Sequence, residues 1–229
     1  MTAQDPASGA KFRAKEAGAP LLAACGLTAL AGWVDAQVVL RGGEILPVYM
    51  TGNSAKLAES LASGALAKAW PLAAVILAFL ASSTLAARLA RGGDGGRPAP
   101  ALLLVGGMLV LAILLGLGAH EGRWPLGVLL AVAAAMGAVN QVLQGDPGVT
   151  FITGALVRTA RALAAGEVLR AGRNLLRWAS LLAGAAASAL IDPVAGAYAL
   201  VLPAGATLLA GAFLALRPSV NPAQKEHAA

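Results

Sequence analysis

Long apolar runs separated by short polar interruptions dominate the chain. The runs cover roughly 20–40, 70–90, 99–119, 124–144, 172–191 and 194–216. Each is close to the ~20 residues that carry a helix across a bilayer core. The period-two alternation of a membrane barrel is absent. The pattern therefore predicts an all-α integral membrane protein with about six transmembrane helices. Polar tails flank it, a disordered cytoplasmic N-terminus over 1–19 and a cytoplasmic tail over 217–229.

Two segments between the runs break the pattern in the same way. Residues 48–64 read VYMTGNSAKLAESLASG, and residues 150–166 read TFITGALVRTARALAAG. At an offset of 102, Tyr49 meets Phe151, Thr51 meets Thr153, Gly52 meets Gly154, Lys56 meets Arg158 and Gly64 meets Gly166. Upstream, with a three-residue gap, GWVD (32–35) meets GAVN (137–140), which pairs Asp35 with Asn140. The chain thus reads as two internal repeats, 20–119 and 124–216.

A full crossing by either segment would place Lys56, or Arg158 with Arg161, near mid-membrane, at about 2.5–3.5 kcal/mol for each charge. A short half-helix that dips in and returns avoids most of that. The β-branched and aromatic lead-ins, ILPVYM and GVTFI, read as extended chain. Thr51 then reads as a helix N-cap. The expected fold is six spans plus two re-entrant half-helices, with three spans per repeat and the repeats inverted, as in many transporters. Eight spans with parallel halves is the competing topology. Trp70-Pro71 and Trp124-Pro125 each read as the opening of a span, with proline in the first turn and tryptophan at the interface.

Composition narrows the class. The chain is 58% hydrophobic and 12% charged, with mean hydropathy +0.74, which leaves too little polar surface for a water-soluble domain. The net charge of +6 sits at the ends of apolar runs, so it reads as loop anchoring and not as a nucleic-acid surface. Either topology places thirteen basic residues on the side of the termini against four opposite, so both termini are expected in the cytoplasm. A single cysteine, Cys25, supports neither a disulfide framework nor a thiolate metal site. Lys11, Arg13 and Lys15 before the first run resemble a signal peptide, but GWVDAQ is a poor cleavage site, so the first helix is expected to be retained.

The motifs GWVDA, YMTGN and FITGALVRTARALAAG resemble those of the YoaK-like family of bacterial multi-span inner-membrane proteins, a family of unknown function. The resemblance covers most of residues 20–216. It implies a multi-pass protein of the bacterial inner membrane and supplies no substrate. Ala155 follows the second Thr-Gly where the family usually has a polar residue, so the third position of that motif has no polar role here.

Candidate chemistry follows from the repeat. Two helix N-termini approaching each other near the membrane centre would present free N–H groups and partial positive charge to a small anionic or polar solute. The candidate binding residues are Thr51, Gly52, Asn53, Asn140, Gln141, Thr153 and Gly154. Asp35, Lys56 and Arg158 are candidates for gating or charge, with Asp35 open to pairing with Lys56 or Arg158. Interhelical hydrogen bonding and helix capping are the structural alternatives for Asn140 and Asn53. No histidine lies inside a span to activate a serine, and GGDGGR lacks the strand, helix and lysine of a phosphate-binding loop, so no enzyme, cofactor or metal is expected. The expected partners are the lipid bilayer, a small solute and a second copy of the chain. A transporter or channel is the leading function; a non-transporting scaffold, sensor or accessory subunit is the alternative.

Overall fold

A backbone N–H or C=O left unpaired in hydrocarbon costs several kcal/mol, so a chain this apolar satisfies its backbone within helices. The computed structural model describes residues 21–91, 97–117, 122–143 and 148–216. Among them there is no strand. The helices are α1 (Leu21–Arg41), α2 (Met50–Ala62), α3 (Leu66–Leu89), α4 (Pro98–Gly116), α5 (Leu126–Val139), α6 (Ile152–Ala164), α7 (Val168–Ala195) and α8 (Val201–Leu216), with a 3-10 turn at Gly196–Leu200. Five stretches are long and apolar enough to cross a membrane: Leu21–Arg41, Leu66–Leu89, Pro98–Gly116, Val168–Ala195 and Tyr198–Leu216. Leu126–Val139 is apolar but shorter.

The core lies around α5, which packs on both α3 and α4. Its Val128, Val132, Met136 and Val139 are completely buried. Outside this centre, α1 lies along α7 and α4 along α8. Glycines set the closest approaches. A Cβ on Gly32 would overlap the Leu181 carbonyl, one on Gly184 the Ala29 carbonyl, and one on Gly137 the Phe79 carbonyl. Small residues let helix backbones meet where lipid offers no hydrophobic drive for association.

Cross-helix pairs fix the directions. Gln37 bonds Ser188 and Arg41 pairs with Asp192, so α1 and α7 run parallel. Gly137 meets Phe79 and Gln141 bonds Ser83, so α3 and α5 also run parallel. Gly106 faces Thr207 while Gly211 faces Leu103, so α4 and α8 are antiparallel. One end of the bundle, the Arg41 end, holds the finish of α1 and α7 and the start of α3 and α5. The opposite end, the Arg91 end, holds the α3–α4 connection, where Arg97 N–H bonds the Ala90 carbonyl at 3.2 Å.

The two short helices are built alike. Each follows a tight turn, with Tyr49 N–H on Leu46 O at 2.9 Å in the first and Phe151 N–H on Gly148 O at 2.8 Å in the second. Each starts from an aromatic residue with ψ near 72°, Tyr49 and Phe151. Each stops at a left-handed glycine, Gly64 (φ 70°) and Gly166 (φ 73°). The following N–H closes a Schellman cap, Ala65 to Ser60 O and Glu167 to Ala162 O, both at 2.8 Å. Left-handed backbone is the reason glycine stands at these two positions.

Several expectations are corrected here. The lead-ins are turns and not extended chain, because Pro47 in the first and Gly148 at φ 82° in the second favour a reversal. Thr51 is not a cap: α2 already begins at Met50, from Tyr49, and carries no side-chain cap bond, and α6 begins in the same way at Ile152, from Phe151. Helix α3 starts at Leu66, which places Pro71 inside it, and Pro125 is the N-cap of α5. Helix α7 begins earlier and ends later than the apolar run of 172–191: Val168–Ala171 with the exposed Arg170 precede the run, and Pro193 sits in its last turn without ending it. Arg177, expected as an exposed anchor, is buried. The tails 1–19 and 217–229, and residues 92–96 of GGDGGR, fall outside the described residues.

Candidate functional site

The Thr-Gly motifs do not come together. Helices α2 and α6 are not in contact, and Thr51, Gly52 and Thr153 face outward. The expected convergence of two helix N-termini inside one chain is therefore corrected. Each short helix is instead tied to its own half of the sequence. Asn53, 1% exposed, clamps the α2 lead-in: its Nδ2 donates to Leu46 O at 2.8 Å and its Oδ1 accepts from Leu46 N–H at 3.3 Å. Asn140 does the same work for α6: its Oδ1 accepts from Thr150 N–H at 3.1 Å and from Thr150 Oγ1 at 2.9 Å, while its Nδ2 donates to Met136 O. Gln141 donates to Ser83 Oγ at 2.9 Å and holds α5 to α3.

The paired basic residues also diverge. Lys56 Nζ donates to the Glu44 backbone carbonyl. Arg158 Nε donates to Asn174 Oδ1 at 3.3 Å, and its guanidinium lies back over Gly154. Neither reaches Asp35. Asp35 lies beside the Tyr49 hydroxyl, so the neighbour expected to be a base is a phenol. Its Oδ1 is buried with no hydrogen-bond partner. Asp35 lies six residues before the end of α1, about 9 Å along the helix.

Two features were missed from sequence. The first is a polar network between α1 and α7. Gln37 Nε2 donates to Ser188 Oγ at 3.0 Å, Arg41 donates to Gln37 Oε1, and Arg41 pairs with Asp192. Gln37 and Ser188 are fully buried, and the ion pair is 14% and 20% exposed. An aspartate inside an apolar helix was the signal in the sequence. The second is a cavity of about 830 Å³ at the Arg41 end. It is bounded by the chain after α1, the last turns of α2 and the starts of α3 and α5. Lys56, Glu59, Lys68 and Arg123 line it together with Trp70 and Trp124. Of the residues expected in the site, only Lys56 reaches it.

With this geometry in hand, relatives become informative. A family model described as "Protein of unknown function (DUF1275)" matches residues 23–213. The chain belongs to this family. A DUF1275 assignment agrees with the resemblance carried by GWVDA, YMTGN and FITGALVRTARALAAG. The chain is also similar to the UPF0700 transmembrane protein RA0705 of Rhizobium meliloti (strain 1021), 31% identical over 219 residues that cover 91% of each chain. No solved structure matches. The DUF1275 family, the transmembrane relative and the five membrane-length apolar stretches together identify a multi-pass membrane protein.

Proposed function

We propose that this protein is a small transporter or channel for an anionic or polar solute, built from two inverted repeats with six spans and two re-entrant half-helices. The observation that carries the reading is the exchange of partners between halves. Helix α1 packs parallel to α7, and α5 packs parallel to α3, in the opposite direction. At the repeat offsets, Gly32 on Leu181 corresponds to Gly137 on Phe79. Matching turns, starts and Schellman caps of α2 and α6 add to it. Both the chain entering α2 and the chain leaving it line the cavity at the Arg41 end, which favours a helix that returns to its own side. Inverted units of this kind are what alternating access to a central region uses.

Among the described residues the Arg91 end, where α1 begins and α8 finishes, carries Arg88, Arg91, Arg97, Arg158, Arg161, Arg170 and Arg173, a bias that supports a cytoplasmic position for this end in a bacterial inner membrane. The solute region moves from the Thr-Gly motifs to the Asp35–Tyr49 junction and the cavity above it. No enzymatic role, cofactor or metal is part of this proposal. Reconstituted in proteoliposomes, the full chain should pass at least one small anion, carboxylate or amino acid faster than protein-free vesicles. An identified flux should fall at least tenfold in Asp35→Asn with the fold retained. Vesicles that stay tight to the whole panel would reject transport.

A second reading, a membrane scaffold or accessory subunit, is favoured by one observation. Asn53, Asn140 and Gln141, which had looked like solute ligands, spend their hydrogen bonds on holding the fold. Under it, self-association through the outward faces of α2 and α6 would replace flux.

A further inference from the structure

The cavity at the Arg41 end combines three features that the fold does not require. It is roomy: about 830 Å³ lies within the range of small-molecule sites, about 300–1,000 Å³. Its walls carry charge of both signs, Lys56, Lys68 and Arg123 against Glu44 and Glu59. Much of that charge is unspent. The side chains of Lys68, Arg123, Glu44 and Glu59 make no hydrogen bond or ion pair among the described residues. All four are exposed and free to meet a ligand, whereas the part-buried charges between α1 and α7, Arg41 and Asp192, are paired with each other.

Aromatic placement adds a fourth feature. The chain has only four tryptophans, and two of them line this one cavity. An interfacial lipid anchor would point outward, which fits Trp70 at 59% exposed. Trp124 is 7% exposed and packed in the hydrophobic core, with its backbone N–H on Arg41 O at 2.9 Å, so it supplies an apolar floor to the cavity. Glutamates suit an ammonium group, while lysine and arginine suit a carboxylate or phosphate.

The geometry points to a binding site for a zwitterionic group, an anion and an ammonium carried on one small molecule or headgroup. Lys68 and Arg123 take the anion; Glu44 and Glu59 take the ammonium. The wall carries one more positive than negative residue, so an acidic zwitterion such as glutamate is favoured over a neutral one. This deepens the transport reading, for which the cavity is the solute's first stop, but binding here is measurable without flux.

The test is thermal unfolding of the full chain in detergent with glutamate, lactate or ethanolamine as probes. Glutamate should raise the melting temperature, while lactate, which lacks the ammonium, and ethanolamine, which lacks the anion, should not at equal concentration. In the Lys68→Gln/Arg123→Gln variant, and separately in Glu44→Gln/Glu59→Gln, the glutamate concentration for half the shift should rise at least tenfold. These are surface-reaching side chains without partners, so both variants should melt near wild type without ligand. No shift with glutamate, an equal shift with lactate, or a shift that survives both variants would overturn the site. Phosphatidylethanolamine carries the same two charges. If it abolishes the glutamate response in mixed micelles and phosphatidylglycerol does not, the occupant is a headgroup and not a free solute. Flux without binding at this cavity would sink the site and leave transport standing; binding without flux would do the reverse.

Discussion

Gly32 and Gly137 are where the helix arrangement is most exposed to a single methyl group. In each, a Cβ would fall well inside the contact distance of a backbone carbonyl, Leu181 O or Phe79 O. A side chain could rotate aside; a helical carbonyl cannot. Alanine therefore has to push α1 from α7, or α5 from α3, and overpacking of this kind costs about 1–3 kcal/mol. With backbone as the obstacle the upper end applies, about 3 kcal/mol, or about 6–12 °C of melting temperature for a chain of this size. Gly26 and Gly107 are helical with nothing within 4 Å of a built Cβ. Alanine there should leave stability unchanged or raise it by about 0.5–1 kcal/mol through helix propensity. The assay is thermal unfolding of the four variants in one detergent. Gly32→Ala and Gly137→Ala should fall together, and Gly26→Ala and Gly107→Ala should not. Equal stability across all four would refute the close approach, and a loss at only one of the first pair would refute the equivalence of the two helix pairings.

Four further outcomes are expected. Gly64→Ala and Gly166→Ala place a Cβ in left-handed backbone and should each cost about 1–2 kcal/mol by chemical unfolding, whereas Gly172→Ala, in open space on α7, should cost nothing. Asn53→Leu removes both bonds to Leu46 and should free the α2 lead-in, seen as faster proteolysis within residues 42–49 and a loss of about 1–3 kcal/mol. Arg41→Ala and Asp192→Ala should each destabilise more than half as much as the double variant does, with a coupling of about 0.5–3 kcal/mol in a double-mutant cycle. In a Cys25→Ala background, Ser63→Cys should react with an impermeant thiol reagent in intact cells and Arg97→Cys only after permeabilisation; the reverse pattern would invert the membrane orientation.

How far the fold could be read from sequence depended on which force set each feature. Hydrophobic runs fix spans directly, because bilayer thickness imposes a length, and α1, α4 and α5 fall within a few residues of the apolar runs. Run ends were less legible. Leu66, Lys68 and Trp70 are helical in water as well as in lipid, so hydropathy could not mark where α3 begins. The glycines that stop α2 and α6 were readable, since left-handed backbone nearly demands glycine. The asparagines were readable as polar but not as clamps, because their partners are backbone groups, which no sequence distinguishes. Asp35 was visible as an acid within an apolar run, yet its neighbour Tyr49 arrives through a turn that the apolar lead-in concealed. The cavity was illegible, because its charged residues come from four separate segments and only packing brings them together.

The contrast between the two short-helix hairpins separates what the architecture needs from what the chemistry needs. Their backbone devices match: the same turn, the same aromatic start, the same glycine stop. Their charges do not. One hairpin carries Lys56, Glu59 and Lys68; the other carries Arg158, Arg161, Glu167, Arg170 and Arg173. If the units are inverted, the hairpins meet opposite aqueous phases, and the positive-inside bias loads one with arginine irrespective of any solute. Residues kept at both positions, Lys56 and Arg158 included, then report on architecture, and their present partners, a backbone carbonyl and an asparagine, agree with that. Chemical individuality belongs to what is not duplicated: the unsatisfied Asp35 Oδ1, the Arg41–Asp192 pair and the mixed charges of the tryptophan-lined cavity. All three lie at or near the Arg41 end, so the transport proposal is to be tested there, on the side with fewer charges.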